Sequence, residues 1–320
     1  MGKRHFIKDL VEGETIDDVF SVKLKKPPRE YAKGYMFDLR VSDRTGIINL
    51  KFWGPKDPRL VDSIYDPLEV GSVVRVRGKV GSYKDSPEIW VDTDGEISTV
   101  ERSGYDISDF VPTTEEDVDQ MMSRLNSFIR QVQDPFLSGV LRHFFADEGF
   151  VSRFREAPAS IQKHSNYVGG LLEHTLAVVE ICANLCSLKD RMDRDLLVTG
   201  AVLHDIGKID EYRVTTNIDM SEEGMLLGHI FIGAEQVKEA AESIDGFPTR
   251  LRHKLVHMVL SSHGKYEYGS PRTPQFPEAV ALHYADEMDA KVERYIGLKE
   301  TARTEDDWTY DPELKHIYLR

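Results

Sequence analysis

A chain of 320 residues, 40% apolar and 30% charged, is long enough for two domains with sizeable cores. No apolar run reads as long enough for a membrane span, and the N-terminus, basic at Lys3 and Arg4 but without an apolar stretch behind them, does not match a secretory leader. The net charge of −14 argues against nucleic acid along the whole chain, yet residues 1–100 hold 17 Lys and Arg against 17 Asp and Glu, so the acid excess lies in 101–320.

From about Thr15 to Ser98 the pattern is short alternating strands broken by turn residues. Tyr35, Phe37, Leu39 and Val41 share one parity; Met36, Asp38, Arg40 and Ser42 share the other. Asp43-Arg-Thr-Gly46 is a turn, after which Ile48, Leu50 and Phe52 alternate with Asn49, Lys51 and Trp53. A short helix is predicted at Pro58–Tyr65, then strands at about Ser72–Val80 and Glu88–Ile97. Strand-strand-strand-helix-strand-strand is the order of an OB-fold, a five-stranded barrel that often binds oligonucleotides. With the apolar parity inward, Arg40, Lys51, Trp53, Arg75, Arg77 and Lys79 face outward. Cations that track phosphates and an aromatic that stacks a base are how single strands are held; a solvated sheet face is the plainer alternative.

Residues 101–114 read as a linker, with a capping box at Thr113 and Glu116 starting the next element. Apolar spacing then changes from two to about 3.6. Helices are predicted at about 115–131, 134–147, 168–187, 194–206, 229–244, 248–262 and 277–297, with Pro135, Pro248 and Pro277 near first turns. Cys182 and Cys186 fall four apart on one of them and read as reduced core thiols of a cytoplasmic protein. The residues after 300 read as a polar tail with aromatics, docked loosely.

Within the helical part, Leu203-His204-Asp205-Ile206-Gly207-Lys208 sets an imidazole beside a carboxylate at the end of an apolar segment. Buried polar groups need partners, and a metal ion suits both. Four further stretches offer ligands: Gly169-Gly-Leu-Leu-Glu-His174-Thr, Leu227-Gly-His229, Ser261-Ser-His263 and His283-Tyr-Ala-Asp286-Glu-Met-Asp289. Singly, each is more often a satisfied structural group than a ligand.

The ordered series His174, His204-Asp205, His229, His263, Asp286 resembles the HD-domain metal-dependent phosphohydrolases. The resemblance implies one ion on His174, His204, Asp205 and Asp286, and a second on Asp205, His229 and His263, with Asp205 bridging. With the OB-fold in front, and with the phrases Phe6-Ile-Lys-Asp-Leu10, Ser42-Asp-Arg-Thr-Gly46 and Ser270-Pro-Arg-Thr-Pro-Gln-Phe-Pro-Glu278-Ala, the chain is similar to the YhaM-type 3′→5′ exoribonucleases. It departs from them at Ser262, where many relatives carry a second histidine beside the one at His263.

The expected fold class is therefore multidomain: a small all-β OB-fold barrel over 1–100, a linker over 101–114, an all-α HD-type bundle over 115–300 and a tail over 301–320. The implied cofactor is a divalent metal, two ions, with Mn²⁺ preferred and Fe or Co²⁺ as alternatives. The expected partner is single-stranded RNA, with single-stranded DNA and self-association into a homo-oligomer left open. Asp205 and Lys208 are the expected catalytic residues, Lys208 either as a point charge on the scissile phosphate or as a helix-end lysine on free carbonyls. The resemblance makes His164 a candidate phosphate contact whose role stays open and His283 a candidate support for Asp286, while His253 and His257 read as ordinary helix residues. Two alternatives stand beside the exonuclease: a phosphohydrolase of small or cyclic nucleotides, and a nucleic-acid-binding protein with a non-catalytic metal site.

Overall fold

The computed structural model describes residues 3–84, 86–160, 167–302, 306–311 and 314–320. The expected contact at His164 falls outside them. The chain forms two compact units, 1–112 together with 215–218, and 113–214 together with 219–320.

The first unit is built on β1 (Thr15–Tyr31), β2 (Gly34–Asp43), β3 (Gly46–Trp53), α1 (Pro58–Tyr65), β4 (Val73–Tyr83), β5 (Ser86–Val91) and β6 (Glu96–Val100). The sheet order is β1-β2-β3-β5-β4-β6, and β1 also pairs with β4, which closes a five-stranded barrel. β3 and β5 run parallel; the other pairs are antiparallel. At 17 residues β1 is long enough to serve both neighbours. Its register with β2 shifts between Lys26 and Arg29, at Pro27 and Pro28, which have no N–H to give to a ladder.

The inward parity is Phe37, Leu39 and Val41 on β2 and Ile48, Leu50 and Phe52 on β3, all buried. Met36 and Ser42, of the opposite parity, are buried as well. The segment predicted as one strand over Glu88–Ile97 is two, β5 and β6, separated by a turn in which Gly95 N donates to Asp92 O. Residues 101–112 stay with the barrel: Ile107, Phe110 and Val111 are buried, and Arg44 N donates to Asp109 O.

The second unit holds α2 (Val118–Gln131), α3 (Pro135–Phe145), α4 (Glu148–Glu156), α5 (Gly170–Leu188), α6 (Arg194–Leu203), α7 (Lys208–Glu211), α8 (Glu222–Leu227), α9 (His229–Glu242), α10 (Thr249–Leu260) and α11 (Pro277–Thr301). Short hairpins are made by β7 (Tyr212–Val214) with β8 (Ile218–Met220), and by β9 (Trp308–Asp311) with β10 (Lys315–Tyr318). The cap of α2 is Asp117, whose side chain accepts from Asp119 N and Gln120 N, and not the expected Thr113. Thr113 instead bridges Val168. Asp147 caps α4 in the same way, which divides what periodicity alone leaves as one helix and a gap.

The core runs from Leu125 and Leu141 through Phe154, Leu171, Leu197 and Val237 to Leu255, Met258 and Leu282. One expectation needs correcting. By length and composition α5 does qualify as a membrane span, with a mean hydropathy of 1.4 over an 18-residue window of its 19 residues. Its apolar character is that of a central helix: Leu171, Leu172, Val178, Val179 and Cys182 are buried in the core.

Candidate metal centre

Helix ends bring the centre together. His174 lies one turn into α5. α6 stops at Leu203, so His204 and Asp205 fall in the tight turn before α7 instead of inside a helix running to 206. His229 opens α9, His263 follows α10, and Asp286 and Asp289 lie on the inner side of α11. The turn at Gly207 packs against the start of α9. A Cβ at Gly207 would overlap the His229 carbonyl oxygen, so glycine is what lets the two segments approach.

Two clusters of donor atoms result. His174, His204 and Asp286 form one and Asp205, His229 and His263 the other, with the donor atoms of each within 4.8 Å of one another. Nε2 of His174 lies 3.3 Å from Nε2 of His204 and 3.2 Å from Asp286 Oδ1. Asp205 reaches both clusters. Its Oδ2 lies 3.5 Å from His174 Nε2 and 3.4 Å from His204 Nε2, while its Oδ1 lies 3.7 Å from His229 Nε2. His229 and His263 face each other with Nε2 atoms 3.4 Å apart.

The opposite nitrogen of every ring is tied to an oxygen acceptor. Nδ1 of His174 donates to Asp289 Oδ2 at 2.6 Å, that of His204 to Ala201 O at 2.8 Å, that of His229 to Glu211 Oε1 at 2.9 Å, and that of His263 to Tyr268 O at 3.1 Å. A carboxylate or carbonyl accepts only from an N–H, so each Nδ1 carries a hydrogen and each Nε2 turns inward, where a cation would meet its lone pair once any proton there has left. Asp205 is buried, and among the described residues neither of its oxygens meets a donor in hydrogen-bond geometry. Lys208 Nζ stands 2.7 Å from Oδ2 and counters its charge. Imidazole nitrogens and carboxylate oxygens converging in a buried site call for a cation, and this donor set fits one on either side of Asp205.

Burial alone would raise the Asp205 carboxyl; the Lys208 ammonium, then His204, outweigh it and hold it well below the ordinary carboxylate range. Burial likewise opposes charge on Lys208, but Asp205 raises it overall. Burial works against a proton on His174, and hydrogen bonds to Asp286 and Asp289 overcome it, pushing the imidazole up to about 10. In the metal-free protein that proton supplies positive charge that the carboxylates demand. His263 goes the other way, lowered by burial.

A cavity of about 790 Å³ opens onto the centre, lined by His174, Lys208, His263 and Asp286 on one side and by Tyr268, His283, Lys291 and Arg294 among others. Lys208 thus faces Asp205 and the cavity, and the alternative of a lysine on free helix-end carbonyls is not what the geometry shows. His283 does not support Asp286. Its Nδ1 bonds Ser262 O at 2.9 Å and its ring lies under Gly264, which has φ +73° and no room for a Cβ, so it braces the turn that carries His263. His257 stacks on Phe276. Asp289 and Glu211, which hold His174 and His229, were not singled out from sequence as supporting groups. The signal for Asp289 is its i+3 spacing from Asp286, and Glu211 sits three residues past Lys208 on the same short helix.

On the barrel, Lys79, Trp90, Lys51 and Asp38 are consecutive register partners across β4, β5, β3 and β2. Arg40 and Lys51 line a groove of about 280 Å³ with Lys26, Arg29 and Tyr83. Lys51 is paired with Glu88 at 2.7 Å and sits over the Tyr83 ring. Trp53 is half-buried, edge-on to Tyr31 at 5.0 Å. Arg75 and Arg77 are exposed but lie elsewhere on β4: Arg75 is held by both oxygens of Asp17, and Arg77 reaches Asp94 O. Trp90 and Tyr83 are the aromatic members of this face that the strand pattern did not bring forward.

The fold and the site define a class: an OB-fold barrel joined to a helical HD domain. Residues 19–94 match the family described as the OB-fold nucleic acid binding domain, and residues 171–291 match the HD domain. The chain is 32% identical to the 3′-5′ exoribonuclease YhaM of Geobacillus sp. (strain WCH70) over 88% of its own length and 83% of the relative's. It is 31% identical to the protein of that name from Bacillus subtilis (strain 168), covering 88% and 86%. The chain belongs to the YhaM 3′-5′ exoribonuclease family.

Two predictions come from the centre. Asp289→Ala frees the His174 ring to turn and lowers Mn²⁺ affinity about 10–100-fold by calorimetric titration, with the circular dichroism spectrum kept; unchanged affinity would remove Asp289 from the site. Because the folded His174 value of about 10 exceeds the unfolded 6.5, its contribution to the metal-free fold is complete below pH 6.5 and lost as pH rises toward 10. Thermal melts of the chelated protein therefore fall across that window, and titrating it with Mn²⁺ at pH 7 releases a proton that buffers of different ionisation enthalpy report.

Proposed function

We propose that this protein is a metal-dependent 3′→5′ exonuclease that shortens single-stranded RNA and releases nucleoside monophosphates. The observation that carries the reading is the buried Asp205 carboxylate, its oxygens without a hydrogen-bond partner among the described residues and each turned toward a separate group of imidazole nitrogens. His174, His204, Asp286 and Asp205 would hold one ion, and Asp205, His229 and His263 the other. Their mix of imidazole and carboxylate donors suits Mn²⁺ best, with Fe or Co²⁺ next. Two divalent ions there would polarise the phosphoryl oxygens and activate a water for in-line displacement.

The protein's own residues do the rest. Asp289 and Glu211 fix the rings that present Nε2, and His283 fixes the turn that carries His263. Lys208, lining the cavity beside Asp205, offers its ammonium to a non-bridging oxygen of the scissile phosphate. Water oxygen bonds to the terminal phosphorus, the P–O3′ bond breaks, and a proton ends on the departing 3′-oxygen. The products are a nucleoside 5′-monophosphate and a strand one unit shorter with a free 3′-hydroxyl.

The barrel supports a strand over a free nucleotide as substrate. Arg40, Lys51, Trp53 and Lys79, with Trp90 and Tyr83, make the face we assign to it; Arg75 is left out because Asp17 already engages its guanidinium. RNA in preference to DNA rests on the names of the relatives. Both cysteines are free, as the cytoplasmic setting we propose requires, and burial, which pushes Cys182 up to about 12, keeps that thiol unreactive.

The test is incubation with Mn²⁺ and 5′-labelled single-stranded RNA or DNA, and separately with mononucleotides and cyclic dinucleotides. A descending ladder with mononucleotide release is expected on RNA, and Asp205→Ala abolishes it; turnover of the small nucleotides alone contradicts the reading. Trp53→Ala is expected to weaken RNA binding by about 1–3 kcal/mol with the barrel still folded, measured by fluorescence anisotropy. Unchanged binding removes Trp53 from the strand face.

A further inference from the structure

The β9–β10 hairpin near the chain's C-terminus is not used by the chemistry above, and its two faces differ sharply. In its register Trp308 pairs with Tyr318 and Tyr310 with His316. Those four rings share one face. Trp308, Tyr310 and Tyr318 are 56%, 60% and 55% exposed, and His316 is exposed too. The ring pairs are in contact, at 5.1 Å between Trp308 and Tyr318 and 5.5 Å between Tyr310 and His316. Ile317, on the other face, is buried at 2%. A two-stranded hairpin is marginal by itself, so Ile317 and the tie to α11 account for its folding. The aromatic pairs add cross-strand contact, yet the outer faces of their rings stay in water.

The hairpin stands at the rim of the catalytic cavity. Asp311, at the end of β9, accepts from Arg294 at 2.8 Å, and both Arg294 and Leu314 line the cavity. The turn end of the hairpin therefore lies at the cavity wall, and the ring pairs follow it along the two strands. Residues two apart on a strand are about 6.8 Å apart, so the two ring pairs can each meet one base of an extended strand. The exposed ring area is on the order of 400 Å², well below the roughly 800 Å² per partner of a stable protein interface.

We propose that Trp308, Tyr310, His316 and Tyr318 form a base-stacking platform that receives the single-stranded substrate just upstream of its 3′ end. Every base has a π-face, so such a platform grips without regard to sequence. The proposal rests on the exonuclease reading.

The experiment compares the full-length wild type with Trp308→Ala/Tyr318→Ala and Trp308→Phe/Tyr318→Phe, all loaded with Mn²⁺, on a single-stranded RNA 16-mer and on bis(p-nitrophenyl) phosphate, which is too small to reach the hairpin. The alanine pair is expected to raise KM for the RNA about tenfold or more, with kcat, turnover of the small diester and mass by light scattering unchanged. The phenylalanine pair keeps the wild-type KM. An unchanged RNA KM in the alanine pair overturns the platform, as does an equal loss on both substrates or a change of oligomeric mass. Wild-type protein that leaves RNA intact overturns the exonuclease reading first and the platform with it.

Discussion

A carboxylate buried without a hydrogen-bond donor is the constraint around which the helical unit is arranged. Asp205 presents one oxygen to the pair His174 and His204 and the other toward His229. Left alone, such a group in a low-dielectric interior is costly. The packing concentrates compensation on it: α5 and α9 bring His174 and His229, the turn after α10 brings His263, and Lys208 closes the remaining side, while Asp286 of α11 is a second carboxylate that adds to the demand for positive charge. The close approach of Gly207 to the start of α9 allows the second cluster to exist. Lys208 and a protonated His174 offset part of the cost of burying charge here, and cations at the two clusters would offset more, so folding and metal uptake are linked through one side chain.

The same arrangement sorts the residues by task. Three of the imidazoles at the centre are held, directly or through a turn, by side chains outside the two donor clusters. His174 depends on Asp289, His229 on Glu211, and His263 on the turn braced by His283. Activity should therefore be sensitive at positions with no contact to RNA. The charge distribution follows a similar division. The barrel carries no net charge, but its strand pairing gathers Arg40, Lys51 and Lys79 on one side, while the acid excess lies with the unit that would bind cations.

Much of this was legible in the sequence because it rests on periodicity and on residue type. Alternation named the inward residues of β2 and β3, Asp57 and Pro58 mark the start of α1, and the His and Asp residues of the centre stand in chain order as the structure gathers them. What escaped depends on tertiary position. The length of β1 was hidden by Pro27 and Pro28, which look like a strand break and are a bulge. α4 was hidden because a single cap, Asp147, interrupts an otherwise helical run. α5 is apolar enough to resemble a span, a property that only its neighbours explain. Glu211 and Asp289 are ordinary acidic residues until the rings they hold are in place. The C-terminal hairpin declares itself through cross-strand pairing, which composition in the polar tail after 300 does not reveal.

The central claim is that Asp205 lies between two ions. The most direct measurement is anomalous scattering from crystals grown with Mn²⁺. The account predicts two peaks about 3.5–4 Å apart, one among His174, His204 and Asp286, the other between His229 and His263, with Asp205 joining them. A single peak away from Asp205, or density only at surface carboxylates, would contradict it.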